Sequence, residues 1–404
     1  MARTPAFAAS LLALALATSS SARPVPAAVM KFHQSLVTLD THLDTPASLP
    51  LAGWSIMQAH DVHVDFTQVD LPRMKRGGLD GGFWAIYTPQ GPMDPASMRK
   101  ARDFALMRGV AIREMVAAHP ADFALATRAA DAARIAGQGK RVVYMSIENA
   151  WPLGDDVGLL QTFYAMGVRL SGFAHFKTNQ FADSSTDAEK WGGLSPAGIQ
   201  LLAEMNRLGI VPDLSHSSDK ALEAALRLSR SPILLSHSGC KAVFDHPRNI
   251  DDAHLRALAA QGGVIQINSV YVKAQKPNPD RAAAMKALAD AYPEDRALSL
   301  AERAAMLARR QDIERRYPQP DRATFDDVMA NLLHALKVAG VDHVGIGLDW
   351  DGGGGVAGME DVADVPRITE ALLAAGYSRA DIAKIWSGNV LRVLAAAEAA
   401  AVKG

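Results

Sequence analysis

The chain holds a single cysteine, Cys240, in 404 residues. That excludes an internal disulfide and every Cys-based zinc or iron–sulfur motif, so any metal must rest on His, Asp and Glu. An excess of charge of one sign is also missing: 42 Lys and Arg stand against 43 Asp and Glu, for a formal net charge of −1, with no long basic block. Nucleic acid and anionic membrane surfaces demand an electrostatic footprint that such a chain does not carry. No Gly-x-Gly-x-x-Gly opens a helical pattern, which takes support from a dinucleotide-binding fold. The apolar run Phe7–Ala17 is too short for a membrane span. It follows Arg3 and ends in Ser20-Ser21-Ala22, the layout of a secretory signal peptide. Residues 1–22 are therefore expected to be a signal peptide and residues 23–404 a single periplasmic or secreted domain, with no membrane insertion once the signal is removed.

What the chain does have is an ordinary globular composition, 49% hydrophobic and 21% charged, and a recurring strand-then-helix rhythm. Eight β-type runs are expected: Leu36–Asp44, Gly82–Tyr87, Val142–Glu148, Val168–His175, Ile210–His216, Pro232–Ser238, Gly263–Asn268 and His343–Asp349. Such alternation predicts parallel pairing with right-handed crossovers, and eight repeats predict a closed (β/α)8 TIM barrel rather than an open doubly wound sheet. Ser195-Pro196 and Gly209 mark the two ends of one helix as N-cap with Pro at N1 and as C-cap. The rhythm breaks over residues 273–320, where Pro277, Pro279, Pro293, Pro318 and Pro320 surround two charged, Ala-rich stretches. This reads as an insertion after strand seven, placed to cover the barrel's mouth or to meet a second copy of the chain in a homodimer.

The expected strands end in residues of a particular kind. Strand one closes on Asp40-Thr41-His42-Leu43-Asp44, and residues two apart on a strand share a face, so His42 and Asp44 can grip one ion. Strand three ends in Glu148, strand five in Asp213-Leu214-Ser215-His216 and strand six in Ser236-His237-Ser238. Three imidazoles and two carboxylates suit a divalent ion such as zinc. Five ligands exceed one tetrahedral zinc and fit a two-metal hydrolytic site with positions left for water and substrate. Any one of these residues is commonly structural, but a barrel directs all five to the face where barrel enzymes do chemistry.

Those motifs, with Gly82–Pro89, Ile147-Glu148, Ala174-His175, Ala182-Asp183-Ser184, Glu204–Gly209, Arg248-Asn249, Asp342–Gly347, Asp349–Gly352 and Gly388-Asn389, resemble the membrane (renal) dipeptidase family of zinc peptidases, a branch of the amidohydrolase barrels. The resemblance implies a metallo-dipeptidase with two Zn2+ per chain, hydrolysing dipeptides that include those with a D-residue on the C-terminal side. It implies that His42 and Asp44 hold one ion, His216 and His237 the other, and that Glu148 bridges them. It adds His175 at the scissile carbonyl oxygen, Arg248 on the substrate's terminal carboxylate and Asp349 as proton shuttle. The chain departs from the family pattern at Asn149-Ala150, where glycines are usual, and at Leu43, where a polar residue is common.

Other features carry less. His60-Asp61-Val62-His63-Val64-Asp65 lies in a polar loop outside the strand-end set, the Gly352–Gly355 run lacks the Lys-Ser/Thr of a P-loop, and Cys240 has no triad partners. The rival functions are hydrolysis of an N-acyl amino acid, a lactam or a lactone on the same metals, and a non-catalytic periplasmic binding protein that keeps the barrel without turnover.

Overall fold

The computed structural model describes residues 24–293 and 296–401. The expected signal peptide lies outside the described residues. Eight parallel strands follow one another around a barrel: β1 (Leu39–Leu43), β2 (Gly81–Ile86), β3 (Arg141–Ile147), β4 (Val168–Gly172), β5 (Val211–Asp213), β6 (Leu234–Cys240), β7 (Val264–Ile267) and β8 (Val344–Ile346). Each neighbouring pair is in parallel register. The circle is completed where Leu43 bridges Trp350 and the Asp44 amide donates to the Trp350 carbonyl at 2.9 Å. The expected (β/α)8 architecture is thus the observed one.

Two accessory strands were not foreseen. Phe123–Leu125 pairs with the first residues of β3, before β4 takes over from Met145, and Asn249–Ile250 pairs with the end of β6. Three of the expected runs were also too long at the functional end: β4 stops three residues before His175, β5 three before His216 and β8 three before Asp349. The physical cause is visible at two of them, because His216 and Asp349 adopt left-handed backbone, with φ of 66° and 65°, which no strand continues through.

Caps read from sequence are realised. Ser195 accepts from the Gly198 amide at the start of the helix Pro196–Leu208, and Gly209 closes it with φ of 78°. The lower half of the barrel is apolar: Leu39, Val142, Leu170, Val211, Leu234 and Val264, near the strand starts, cluster with Val390, Val393, Leu394 and Ala397 of the final helix, Asn389–Ala400. Full burial of each such aliphatic side chain contributes roughly 1.5–3 kcal/mol. The dry floor leaves polar groups to the opposite, C-terminal end. Between β7 and the helix Phe325–Ala339 the insertion folds as two helices, Pro279–Ala291 and Leu300–Arg316. Among the described residues no helix is long and apolar enough to cross a membrane.

Candidate active site

At the C-terminal end of the barrel the strands deliver a compact cluster of ligating groups. Glu148, the first residue past β3, is its centre. Its Oε1 lies 3.6 Å from His42 Nε2, 3.4 Å from His175 Nε2, 3.3 Å from His216 Nε2 and 3.6 Å from His237 Nε2. Asp44 Oδ2 is 3.2 Å from His42 Nε2, and Asp349 joins His42 and Asp44 in a set whose donor atoms lie within 4.8 Å of one another. Two further sets, His42–Glu148–His237 and Glu148–His175–His216, satisfy the same distance. Every residue expected to ligate or to handle the proton is therefore in one place. His42 is on β1 as expected, whereas Asp44 has already left the strand as the N-cap of the short 3-10 turn Thr45–Ala47.

The surroundings fix which nitrogen faces inward. Ser236 Oγ donates to Asp213 Oδ2 at 2.5 Å, so the His237 Nδ1–H, at 2.8 Å, finds an acceptor in that hydroxyl and Nε2 is left bare. Asp213 is itself held by the Ser215 and Ser236 amides. His175 is positioned by Ser184, whose hydroxyl donates to its carbonyl, and Asp183 organises the same loop by accepting from the amides of Lys190, Trp191 and Gly193. Asp40 accepts from the His42 and Leu348 amides, tying β1 to the end of β8. Gly352 makes room for the carboxylates, since a Cβ there would stand 2.0 Å from Asp44 Oδ2 and 2.2 Å from Asp349 Oδ1.

Burial dominates the electrostatics. It raises Glu148 well above the usual carboxylate range, against the pull of His42, and lifts Asp349 to about 6 and Asp40 to about 7. It lowers His175 to about 3 and takes His216 and His237 well below the ordinary imidazole value. For His42 burial works the same way, but Asp44 and Glu148 outweigh it and hold the ring at about 10. Neutral imidazoles aimed at a buried carboxylate, with His216 and His237 Nε2 only 2.8 Å apart, are a donor set that a divalent cation satisfies and protons do not.

Arg248 is 2% exposed, donates from Nη2 to the His237 carbonyl at 2.9 Å, and has no carboxylate within ion-pair distance among the described residues. Its Nε has no partner, and its guanidinium carbon lies 5.2 Å from the Tyr271 ring. Tyr271 was missed from sequence, although a tyrosine shortly after an expected strand end is the available signal. The Asp213–Ser236 relay, Asp40 and the spacing role of Gly352 were also missed. The weaker candidates stay outside: His60 is bonded to Asp65 and the Ser55 carbonyl, Cys240 is buried with its thiol on the Asn331 carbonyl, and the glycine run folds back on the Asp349 carbonyl. Asn149 is a loop brace, its Oδ1 accepting from the Trp151 amide and the Asn179 side chain.

A parallel barrel that gathers an all-nitrogen-and-oxygen ligand cluster at its C-terminal mouth is the arrangement of a metal-dependent hydrolase. Residues 27–403 match the family described as membrane dipeptidase, peptidase family M19. The chain belongs to that family and is a metallo-dipeptidase. It is 32% identical over 347 residues to the dipeptidase tcpJ of Claviceps purpurea, covering 83% of this chain and 71% of that one. It superposes with a TM-score of 0.78 at 31% identity on the probable dipeptidase PvdM of Pseudomonas aeruginosa, over 93% of this chain and 98% of that one. A metallo peptidase of Rhodobacter sphaeroides, bound to a phosphinate mimic of the dipeptide L-Ala-D-Ala, gives a TM-score of 0.69 at 26% identity, over 89% and 99% of the two chains.

Proposed function

We propose that this metallo-dipeptidase is an exported two-zinc enzyme that cleaves free dipeptides, those with a D-residue on the C-terminal side included. The observation that carries the reading is Arg248: a buried guanidinium without a carboxylate is costly to keep, and a substrate's terminal carboxylate supplies the missing partner in bidentate geometry. Support for the D-residue comes from the ligand of the Rhodobacter sphaeroides relative, and support for export from the Arg3-to-Ala22 pattern. His42 and Asp44 would hold one ion and His216 and His237 the other, with Glu148 shared between them. Bound zinc supplies a Lewis acid and a hydrolytic nucleophile at neutral pH.

The chain's own groups do the rest. Arg248 and the neighbouring Tyr271 hold the substrate's carboxylate end, so that the peptide bond is presented in a fixed orientation. His175, neutral under these conditions, donates a hydrogen bond to the scissile carbonyl oxygen as negative charge develops there. Asp349, lifted to about 6 by burial, is poised to take a proton from the attacking water on its carboxylate and to pass it to the leaving amine. Its left-handed backbone is strain of the kind found where a side chain must be aimed.

The test compares Arg248→Ala with the wild type on a dipeptide and on its C-terminal amide. The wild type is expected to prefer the free acid strongly, and the variant to lose efficiency on the acid while retaining metal and discriminating little between the two. A wild type that cleaves amides, longer peptides or N-acyl amino acids as readily would overturn carboxylate-anchored dipeptide recognition. About two zinc per chain, with activity abolished by a chelator, is the expected metal result.

A further inference from the structure

The insertion after β7 builds a second polar chamber beside the metal cluster. Its helix Leu300–Arg316 contributes Arg310, Gln311 and Glu314 to the lining of a cavity of about 900 Å³ that Phe66, Val270 and Gly353–Gly355 also line. That is the size range of small-molecule sites. Arginines dominate its charge, and most are already committed. Arg281 takes both oxygens of Glu314 at 2.8 and 2.7 Å, Arg322 pairs with Glu360 at 2.8 Å, and Arg315 reaches Asp312 at 3.3 Å.

Arg310 differs. It makes no ion pair among the described residues, its Nε is buried without a hydrogen-bond partner, and its guanidinium is fixed over the Phe66 ring at 4.2 Å. Burial lowers its pKa, and the nearest acidic influence, Glu314, has both oxygens occupied by Arg281. A pre-oriented cationic fork with an unmet donor, on a wall that also offers Phe66, Val270 and Val356, is complementary to an organic anion. We propose that this cavity binds a small organic carboxylate, with Arg310 as its bidentate anchor.

The position of the cavity gives such a ligand a route to the chemistry. Asp351 and Gly353 line it, while Gly352 between them packs on Asp44 and Asp349. Asp351 also accepts from the Thr45 hydroxyl and the Gln68 amide, so the cavity's floor and the turn after β1 are one bonded unit. The carboxylate can be the acidic side chain of a dipeptide, which rests on the function proposed above, or a separate molecule, which does not.

Two measurements on the full, metal-loaded chain separate these sources. Calorimetric titration with glutarate, and with its neutral diamide as control, is run on wild type, Arg310→Gln and Arg310→Lys. The ratio of catalytic efficiencies for glutamyl-alanine over glutaminyl-alanine is then determined for each protein. Glutarate is expected to bind the wild type, the diamide not, and Arg310→Gln to weaken binding about tenfold, equivalent to ~1.4 kcal/mol, with Arg310→Lys in between. A preference for glutamyl-alanine that vanishes in Arg310→Gln identifies a substrate side chain as the occupant. Equal turnover of the two dipeptides with Arg310-dependent glutarate binding identifies a separate molecule. Glutarate binding unaltered in Arg310→Gln, or absent together with any glutamyl preference, overturns the proposal. Failure of the dipeptidase reading shows independently, as absent wild-type turnover of alanyl-alanine.

Discussion

Gly352 is the sharpest point at which the geometry of the site can be tested without touching a ligating group. A methyl group there would meet Asp44 Oδ2 at 2.0 Å and Asp349 Oδ1 at 2.2 Å, where ordinary contact begins at 3.4 Å. Gly352→Ala therefore forces both carboxylates to recede by more than an ångström. They have little slack, because Asp44 faces His42 at 3.2 Å and the Asp349 carbonyl accepts the Gly352 and Gly354 amides at 3.2 and 2.8 Å. An ångström of misplacement costs about 100-fold in rate, while an extra methyl in a packed place costs ~1–3 kcal/mol of stability. The expected result is a drop in kcat/KM of about two orders of magnitude on alanyl-alanine, a Tm only a few degrees lower and reduced metal per chain. Wild-type kcat/KM with wild-type metal content would refute the argument, since Asp44 and Asp349 would then not occupy the positions that Gly352 defines.

Two further perturbations address the centre and the scaffold. Glu148→Gln removes the charge around which four imidazoles gather; metal occupancy by elemental analysis is expected well below wild type and activity near background, and unaltered turnover would place the shared carboxylate elsewhere. His33, fully buried against Thr369 and Trp386, is held down at about 4 from the ordinary imidazole value of 6.5 by burial. The unfolded chain binds that proton more tightly, so stability is complete above pH 6.5 and falls as pH drops towards 4, by up to ~3 kcal/mol. Chemical denaturation of His33→Gln across that window should show a shallower fall than wild type; identical slopes would remove His33 as its source.

Local signals were the legible ones. The helix Pro196–Leu208 announced itself through Ser195, Pro196 and Gly209 because capping is decided within a few residues. The eight barrel strands were equally plain, since buried runs such as Val142–Met145 are continuous and apolar. Strand ends were not, because the left-handed turns at His216 and Asp349 occur at residue types that give no warning of them. The five expected ligands were visible as strand-end polar residues. The groups that aim His237 and His175, Asp213 through Ser236 and Ser184 through the His175 carbonyl, depend on neighbours distant in sequence or across a loop and carry no local pattern. The arginine cavity is further removed still, assembled from Phe66, Arg310 and the Gly353–Gly355 turn.

The barrel's seam runs through the ligand cluster. Asp44 hangs from the Trp350 carbonyl, Thr41 donates to the Ser236 and Ile346 carbonyls, and Asp40 receives the Leu348 amide. Residues near the two ends of the chain thus meet only when the last strand closes against the first. A polypeptide still emerging from the ribosome carries His42 and Asp44 for some 300 residues before Asp349 exists, and contacts of such sequence separation form late. On the site proposed above, hydrolytic competence is consequently withheld until the barrel closes, so the nascent chain is inert towards the peptides around it.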